Sequence, residues 1–220
     1  MLPPPYAERP AQRADLEDVA AVVIAADIDQ LGEPDWSVDD QAEEWADPRL
    51  DLATDTRVVL DAAGAVVGYA HVLRRDEGTD FDTETYVLPE HDGHGIEEHL
   101  LGFVEERARQ GVAPGASSAR LVAFCLETDA VRAARLRAAG YGVIRQFFRM
   151  TVKPPPEVLP EPNQARIRSA DGPGDLATVH RVITEAFRGH FRSVALPFEE
   201  WEQRHLARAD DGAPMLLAEL

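Results

Sequence analysis

Val87-Leu88-Pro89-Glu90-His91-Asp92-Gly93-His94-Gly95-Ile96 reads as a strand that runs into a glycine loop and then opens a helix. That order builds an anion site. Gly93 and Gly95 lack a Cβ, so the backbone can turn sharply and aim its N–H groups at a ligand. The helix that follows adds unpaired N–H donors and a partial positive charge at its first turn, which together favour phosphate or pyrophosphate. The helix reading rests on Ile96, Leu100, Leu101, Val104 and Ala108, which share one face at about 3.6 residues per turn. The strand reading rests on alternation: Phe81, Thr83, Thr85 and Val87 share one face, and Asp82, Glu84, Tyr86 and Leu88 share the other.

Two common nucleotide loops fit poorly. A Walker A loop needs Lys followed by Ser or Thr after its second Gly, and neither is present. A dinucleotide fingerprint needs a third Gly where Glu98 stands, and it opens its domain. What remains is V-x-P, a short spacer, G-x-G-I and an amphipathic helix. This pattern resembles the acyl-CoA loop of the GNAT superfamily of N-acetyltransferases. The flanking sequence follows the family's order over residues 5–152. Arg9-Pro10-Ala11 leads into a helix with Leu16, Val19, Ala20 and Val23 on one face and Asp15 as its cap. Ser37 with Asp40 starts a second short helix. Arg57 to Asp61, a turn at Ala62-Ala63-Gly64, and Ala65 to Leu73 form a hairpin that delivers the chain to the Phe81 strand. An apolar strand from Arg120 to Leu126, a helix from about Asp129 to Ala139, the pair Gly140-Tyr141 and a β-rich run from Val143 to Val152 complete the series.

The resemblance implies an α/β fold of the α+β kind, with a mixed, mostly antiparallel sheet flanked by helices. It implies acetyl-CoA as co-substrate, with coenzyme A held by Val87, Leu88, Asp92, Gly93, His94, Gly95, Ile96 and Glu97. The implied activity is acyl transfer (EC 2.3.1 class) to an amine of a small-molecule acceptor. The loop also departs from the family, which usually has Arg or Gln at the position of Asp92 and Gly or Ala at that of Glu97. Two carboxylates thus stand where phosphate should bind. Glu97 and Glu98 interact favourably with the helix dipole themselves, each by about 0.3 to 1 kcal/mol at an exposed helix end, and compete with a bound anion. His91 and His94 offset this only if they face phosphate, in which case cofactor affinity rises as pH falls from about 8 to about 6. The alternative, a pair of solvated loop histidines, is the reading taken here.

For catalysis the resemblance implies a base on the strand before the loop and a tyrosine, on a later helix, that protonates the departing thiolate. Glu84 is the base candidate by position, within reach of an amine or one water; its alternative is a polar residue on a half-exposed strand. The tyrosine's usual place, four residues before the Gly-aromatic pair, holds Leu136. Tyr86 or Tyr141 serves only in a geometry unlike the family's. The first domain therefore reads as degenerate.

A repeat gives that degeneracy a context. Asp15 to Val23 matches Asp175 to Ile183 at an offset of 160 residues, and the same offset sets Ser37-Val38-Asp39-Asp40 on Pro197-Phe198-Glu199-Glu200. Residues 153–164 hold five prolines in twelve positions, which suits only an extended linker. The expected organisation is a first domain at 5–152, a linker at 153–164 and the N-terminal part of a second copy at 165–220. The second copy stops where its first hairpin would begin, before any cofactor loop. Either the chain is a fragment of a longer protein, or the partial copy packs on the first domain or on another subunit, as in a homodimer. Tandem members of the family, including mycothiol synthase, catalyse with the second unit while the first is degenerate.

Composition narrows the partners. A net charge of −18 argues against nucleic acid and suits a cationic substrate such as an amine. The acids Asp39, Asp40, Glu43, Glu44, Asp47, Asp51 and Asp55 read as a solvated face, in a region that the family resemblance implies borders the acceptor site. No apolar run is long enough to span a membrane, and the N-terminus lacks signal-peptide features, so the expected location is the cytoplasm. The single cysteine, Cys125, reads as a buried structural thiol. Acids and histidines show no compact metal-ligand spacing, so no metal site is expected. Two functions stay open: an acyl-CoA-dependent N-acyltransferase, and a non-catalytic ligand-binding or interaction module of the same fold.

Overall fold

The computed structural model describes residues 2–148, 150, 165–171, 173–208 and 215–219. The chain divides into two compact units, Met1–Gln146 and Phe147–Leu220. The proline-rich segment 153–164 lies outside the described residues.

In the first unit the elements run β1 (Ala7–Arg9), α1 (Leu16–Leu31), α2 (Val38–Ala46), α3 (Leu52–Asp55), β2 (Thr56–Leu60), β3 (Val66–Arg74), β4 (Asp80–Val87), α4 (Ile96–Gly111), β5 (Arg120–Ala123) and α5 (Ala130–Ala138). The strands form one sheet in the order β1-β2-β3-β4-β5, antiparallel up to β4, with β5 parallel to β4. This is the mixed, mostly antiparallel sheet expected from the sequence.

Alternation along the strands, reset in β3 by the register shift opposite Val59 and Leu60, divides the core between the two faces of the sheet. Val59, Val67, Ala70 and Phe81 pack against Ile96, Leu100, Leu101 and Val104 of α4. Val58, Val66 and Tyr69 pack against Val19, Val22 and Val23 of α1 and Trp45 of α2. Burying a side chain such as Leu100 contributes about 1.5 to 3 kcal/mol. Gly68 of β3 sets how closely α4 approaches, because a Cβ there would stand 3.1 Å from Ile96 Cγ2. The glycine thus brings the first turn of α4, and the loop before it, down onto the sheet.

The helix starts are partly as predicted. Ser37 Oγ accepts the Asp40 N–H, and Asp129 Oδ1 accepts the Arg132 N–H. Asp15 stands at the start of α1 but makes no side-chain cap there. Its carboxylate is taken instead by the Arg9 guanidinium, at 2.6 and 2.8 Å, and by the Gln12 N–H.

Three expectations are corrected on the C-terminal side. The strand from Arg120 ends at Ala123, not Leu126, because its pairing with β4 stops at Thr83↔Ala123. Cys125 lies past that end and is exposed, not buried. Over 143–148 and at 150 no strand forms, and Val143, Ile144, Phe148 and Met150 are exposed. β propensity alone does not make a strand without a paired neighbour; residues 151 and 152 of that run lie outside the described residues.

The second unit contains β6 (Arg166–Ser169), α6 (Pro173–Phe187), α7 (Phe198–Arg208) and β7 (Leu216–Glu219), with β6 antiparallel to β7. Val179, Trp201 and Leu217 form its small core. Arg168 donates to both Asp175 carboxylate oxygens at 2.8 Å and to the Ser169 carbonyl at 3.1 Å.

Candidate functional site

The loop after β4 has the backbone the sequence implied. Gly93 and Gly95 are left-handed, with φ of 76° and 80°, and Gly95 caps α4. A single 3-10 turn, Pro89–His91, leads into it. Val87 and Leu88 are partly buried against the core, and Ile96 is 1% exposed. Their side chains support the loop, and the Leu88 N–H is itself taken by the Val67 carbonyl at 2.9 Å.

The side chains around the loop satisfy one another. Asp92 Oδ1 lies 2.7 Å from Arg135 Nη1, and the Gly93 N–H also donates to that carboxylate. Burial opposes its ionisation, but these donors hold the Asp92 carboxyl below its ordinary value. Glu97 is buried, and its two oxygens accept from Arg132 Nη1 at 2.6 Å and Arg135 Nη1 at 2.5 Å. Glu98 Oε1 lies 3.1 Å from Arg135 Nε. Two guanidinium groups therefore face three carboxylates at the helix start, where the sequence had suggested solvated acids competing for the dipole.

Arg132 also bridges two strands' ends. Its Nη1 donates to the Thr85 carbonyl at 3.0 Å and to Thr85 Oγ1 at 2.8 Å, while its Nε donates to the Phe124 carbonyl at 3.0 Å. Thr85 follows the last β4–β5 pair on one strand, and Phe124 follows it on the other. The guanidinium thus occupies the gap that opens where β4 and β5 part. Capping by Asp129 sets the α5 start from which Arg132 reaches this gap.

His94 is exposed, as the solvated reading has it, whereas His91 is partly buried. His91 Nδ1 is hydrogen-bonded to the Tyr6 hydroxyl at 2.8 Å, and His94 Nδ1 contacts the His91 carbonyl at 3.1 Å. The segment before β1 also lies over the loop: a Cβ on Gly95 would stand 3.9 Å from Pro3 Cγ.

Glu84 sits opposite His71 in the β3–β4 ladder. The hydroxyl of Tyr86 donates to Glu84 Oε2. Burial, with Glu84 adding to it, pushes the Tyr86 hydroxyl far above its ordinary value, so it stays a neutral donor. From α2, Glu44 Oε2 lies 3.5 Å from His71 Nδ1 and accepts from Gln41 Nε2 at 2.9 Å. Burial, reinforced by Glu84, pushes the Glu44 carboxyl up. Asp27 of α1 is pushed up as well, by burial and by Asp35 and Glu84. The acidic run is therefore not one solvated face: Glu44 points into this cluster, and Asp55 Oδ1 pairs with Arg107 Nε at 2.6 Å. Such a group of carboxylates, imidazole and phenol can accept a proton or hold a cation.

Leu136 is a core residue, 6% exposed. The Tyr141 hydroxyl is buried without a hydrogen-bond partner among the described residues and is pushed up to about 12 by burial. Arg132, Arg135, His71 and Tyr6 were missed by the sequence reading. Arg132 and Arg135 share one face of α5 by their spacing, but only the fold reveals that this face meets the loop.

Comparison with known proteins places this geometry. No curated protein matches the sequence significantly. Among solved structures, a GCN5-related N-acetyltransferase from Sphaerobacter thermophilus superposes over 99% of this chain and 68% of its own, with a TM-score of 0.73 and 23% identity. YncA from Salmonella typhimurium, solved with its cofactor acetyl-CoA, covers 67% of this chain and 86% of its own, with a TM-score of 0.53 and 21% identity. Likeness at these identities concerns the fold. The sequence profile of the Acetyltransferase (GNAT) family matches residues 25–141, more than half of the chain and all of the loop, so the chain belongs to that family and to its N-acetyltransferase class of enzymes.

Proposed function

We propose that this chain is built for transfer of an acetyl group from acetyl-CoA to an amine of a small-molecule acceptor, and that its first unit is degenerate as a cofactor site. The observation that carries the second part is the position of Arg132, bonded to Thr85, Phe124 and Glu97. In the family the loop binds the pyrophosphate of coenzyme A. Here the loop keeps backbone N–H groups at His94, Gly95, Ile96 and Glu97, but that of Gly93 is taken by Asp92, and as they stand the residues do not fit the cofactor. Glu97 and Asp92 already occupy the positive end of the helix, and a guanidinium fills the strand gap. Glu84 remains the candidate base, supported by its place beside His71 and Glu44.

A tandem arrangement, as in mycothiol synthase-like proteins, gives a degenerate first unit a role. Its support is the parallel between the units. Arg9 forks onto Asp15 and bonds the carbonyl of the next residue, and Arg168 does the same with Asp175 and Ser169. β2 starts at Thr56 and β7 at Leu216, the offset of 160 found in the sequence. On this reading residues 165–220 are the start of a second copy. Cytoplasmic location and a homodimer are the expectations that accompany it; among the described residues no helix is long and apolar enough to cross a membrane. The filled strand gap also favours a second reading, in which the first unit is a non-catalytic module that binds a ligand or partner.

Thiol release from acetyl-CoA, measured over a panel of amines, tests the proposal. The native chain should release none above background. The Asp92→Arg/Glu97→Gly variant should gain release that a further Glu84→Gln change removes. Brisk amine-dependent turnover by the native chain would end the degenerate reading. No turnover by the variant on any amine, with its fold intact, would count against acyl transfer in this unit.

A further inference from the structure

Glu44 of α2, His71 of β3 and Glu84 of β4 meet at one point although they are far apart in sequence. One ligand atom from each lies within 4.8 Å of the others. His71 and Glu84 leave the sheet on one face because they are opposed in the antiparallel ladder. The His71 side chain is 4% exposed, and its Nδ1 has no hydrogen-bond partner among the described residues, although it stands 3.5 Å from Glu44 Oε2. A buried polar nitrogen left in that state is uncommon in a folded protein and asks for a reason.

We propose that Glu44, His71 and Glu84 bind a first-row divalent metal ion, with zinc the best match. An imidazole nitrogen and two carboxylate oxygens are ligands that zinc takes, at about 2.0 to 2.2 Å. Around a tetrahedral centre such ligands stand about 3.3 to 3.5 Å apart. The Glu44–His71 separation of 3.5 Å agrees with that bite. An ammonium group is the competing cation, since the same cluster borders the proposed acceptor site. Its hydrogen bonds of about 2.9 Å would hold two acceptors about 4.7 Å apart, too far for Glu44 and His71 although within the 4.8 Å that bounds the separations to Glu84.

The surroundings suit a metal as well. Gln41 Nε2 donates to Glu44 and the Tyr86 hydroxyl to Glu84, which orients both carboxylates as outer-shell partners do for metal ligands. Three protein ligands leave a fourth position for water, the pattern of an exchangeable site. A metal held there would also occupy Glu84, so metal binding and base chemistry at Glu84 exclude each other. The site thus goes beyond the acyl-transfer reading and stands without it.

The test is calorimetric titration of the chelator-stripped, full-length chain with zinc, with cobalt(II) as a spectroscopic probe. One zinc per chain is expected, with a dissociation constant on the order of 1 µM or lower. Cobalt should give the intense visible bands of a four-coordinate site. Glu44→Gln, His71→Asn and Glu84→Gln should each weaken binding at least tenfold, with circular dichroism confirming the fold. Because His71 is buried, partly exposed Glu84 supplies the safer variant should His71→Asn fail to fold. A His91→Ala/His94→Ala variant should leave the site intact. No zinc binding at 100-fold higher concentration, affinity unchanged by the Glu84 substitution, or loss of the site in the His91/His94 variant would each overturn the proposal.

Discussion

Glu97→Ala should destabilise the first unit while opening its loop to anions, two effects of opposite sign from one carboxylate. The Glu97 side chain is 7% exposed, and those of Arg132 and Arg135 are 12% and 17% exposed. Removing one partner of a buried pair costs about 3 to 5 kcal/mol, because the remaining charge is left uncompensated. The lower end applies here. Arg132 keeps the Thr85 oxygens and the Phe124 carbonyl, and Arg135 keeps Asp92 and Glu98. At about 3 kcal/mol, and about 2 to 4 °C per kcal/mol for a unit of this size, the melting midpoint should fall by roughly 6 to 12 °C. Circular dichroism melts of the native and variant chains measure this, and repeating them in about 0.5 M salt should change the difference little, since a buried pair is weakly screened. Replacing Glu97, Arg132 and Arg135 together by Gln, Met and Met should cost less than the single change, because no buried charge is stranded. A midpoint within about 1 °C of native for Glu97→Ala would refute the reasoning. It would mean that the network holds neither Arg132 in the strand gap nor α5 against the loop.

In the chelator-stripped chain, Glu44→Gln should be stabilising in a pH-dependent way. Burial, with Glu84 behind it, raises the Glu44 carboxyl in the folded state, and a raised acid loses stability as pH climbs through its folded value. The variant's midpoint should exceed the native one at pH 8 and match it near pH 4, where both forms are neutral; a gain that is equal at both pH values would contradict this. Asp15 behaves in the opposite sense. The Arg9 hydrogen bonds lower its carboxyl, so its contribution is full above about pH 4 and disappears on acidification. Asp15→Asn should therefore be less stable than native at pH 7 and converge with it near pH 2 in pH-dependent melts. Cys125 is exposed, so a thiol reagent should titrate one group per chain without denaturant; protection until unfolding would place the segment after β5 elsewhere.

The fold was legible wherever local pattern and tertiary context agree. The alternation of Phe81 to Leu88 and the spacing of Ile96, Leu100, Leu101 and Val104 each encode a face, and the burial of these residues follows that face. The left-handed loop was legible through Gly93 and Gly95 for the same reason, since glycine is cheap at positive φ. Strand ends on the C-terminal side were not. Phe124, Cys125 and Leu126 have strand-like side chains, yet whether they pair depends on where β4 and β5 diverge, a point that Arg132 spans from another element. At the site, the sequence identified the carboxylates Asp92 and Glu97 but not their partners, because an ion pair between residues 97 and 132 leaves no local signal. The same holds for Glu44, His71 and Glu84, whose convergence is created by ladder register and helix packing rather than by spacing.

Direct calorimetric titration of the purified chain with acetyl-CoA, beside the Asp92→Arg/Glu97→Gly variant, is the sharpest test of the closed cofactor slot. The native loop sets three carboxylates against two guanidinium groups, and the variant leaves only Glu98 facing Arg132, Arg135 and the new arginine. A unit charge about 6 Å from a phosphate contributes about 3 kcal/mol at an effective dielectric near 20, before screening by salt. The account therefore predicts binding by the variant at least tenfold tighter than by the native chain, whose heats should be near the detection limit. Native binding as tight as the variant's would contradict it, because Asp92 and Glu97 would then not be what keeps the cofactor's phosphates off the loop.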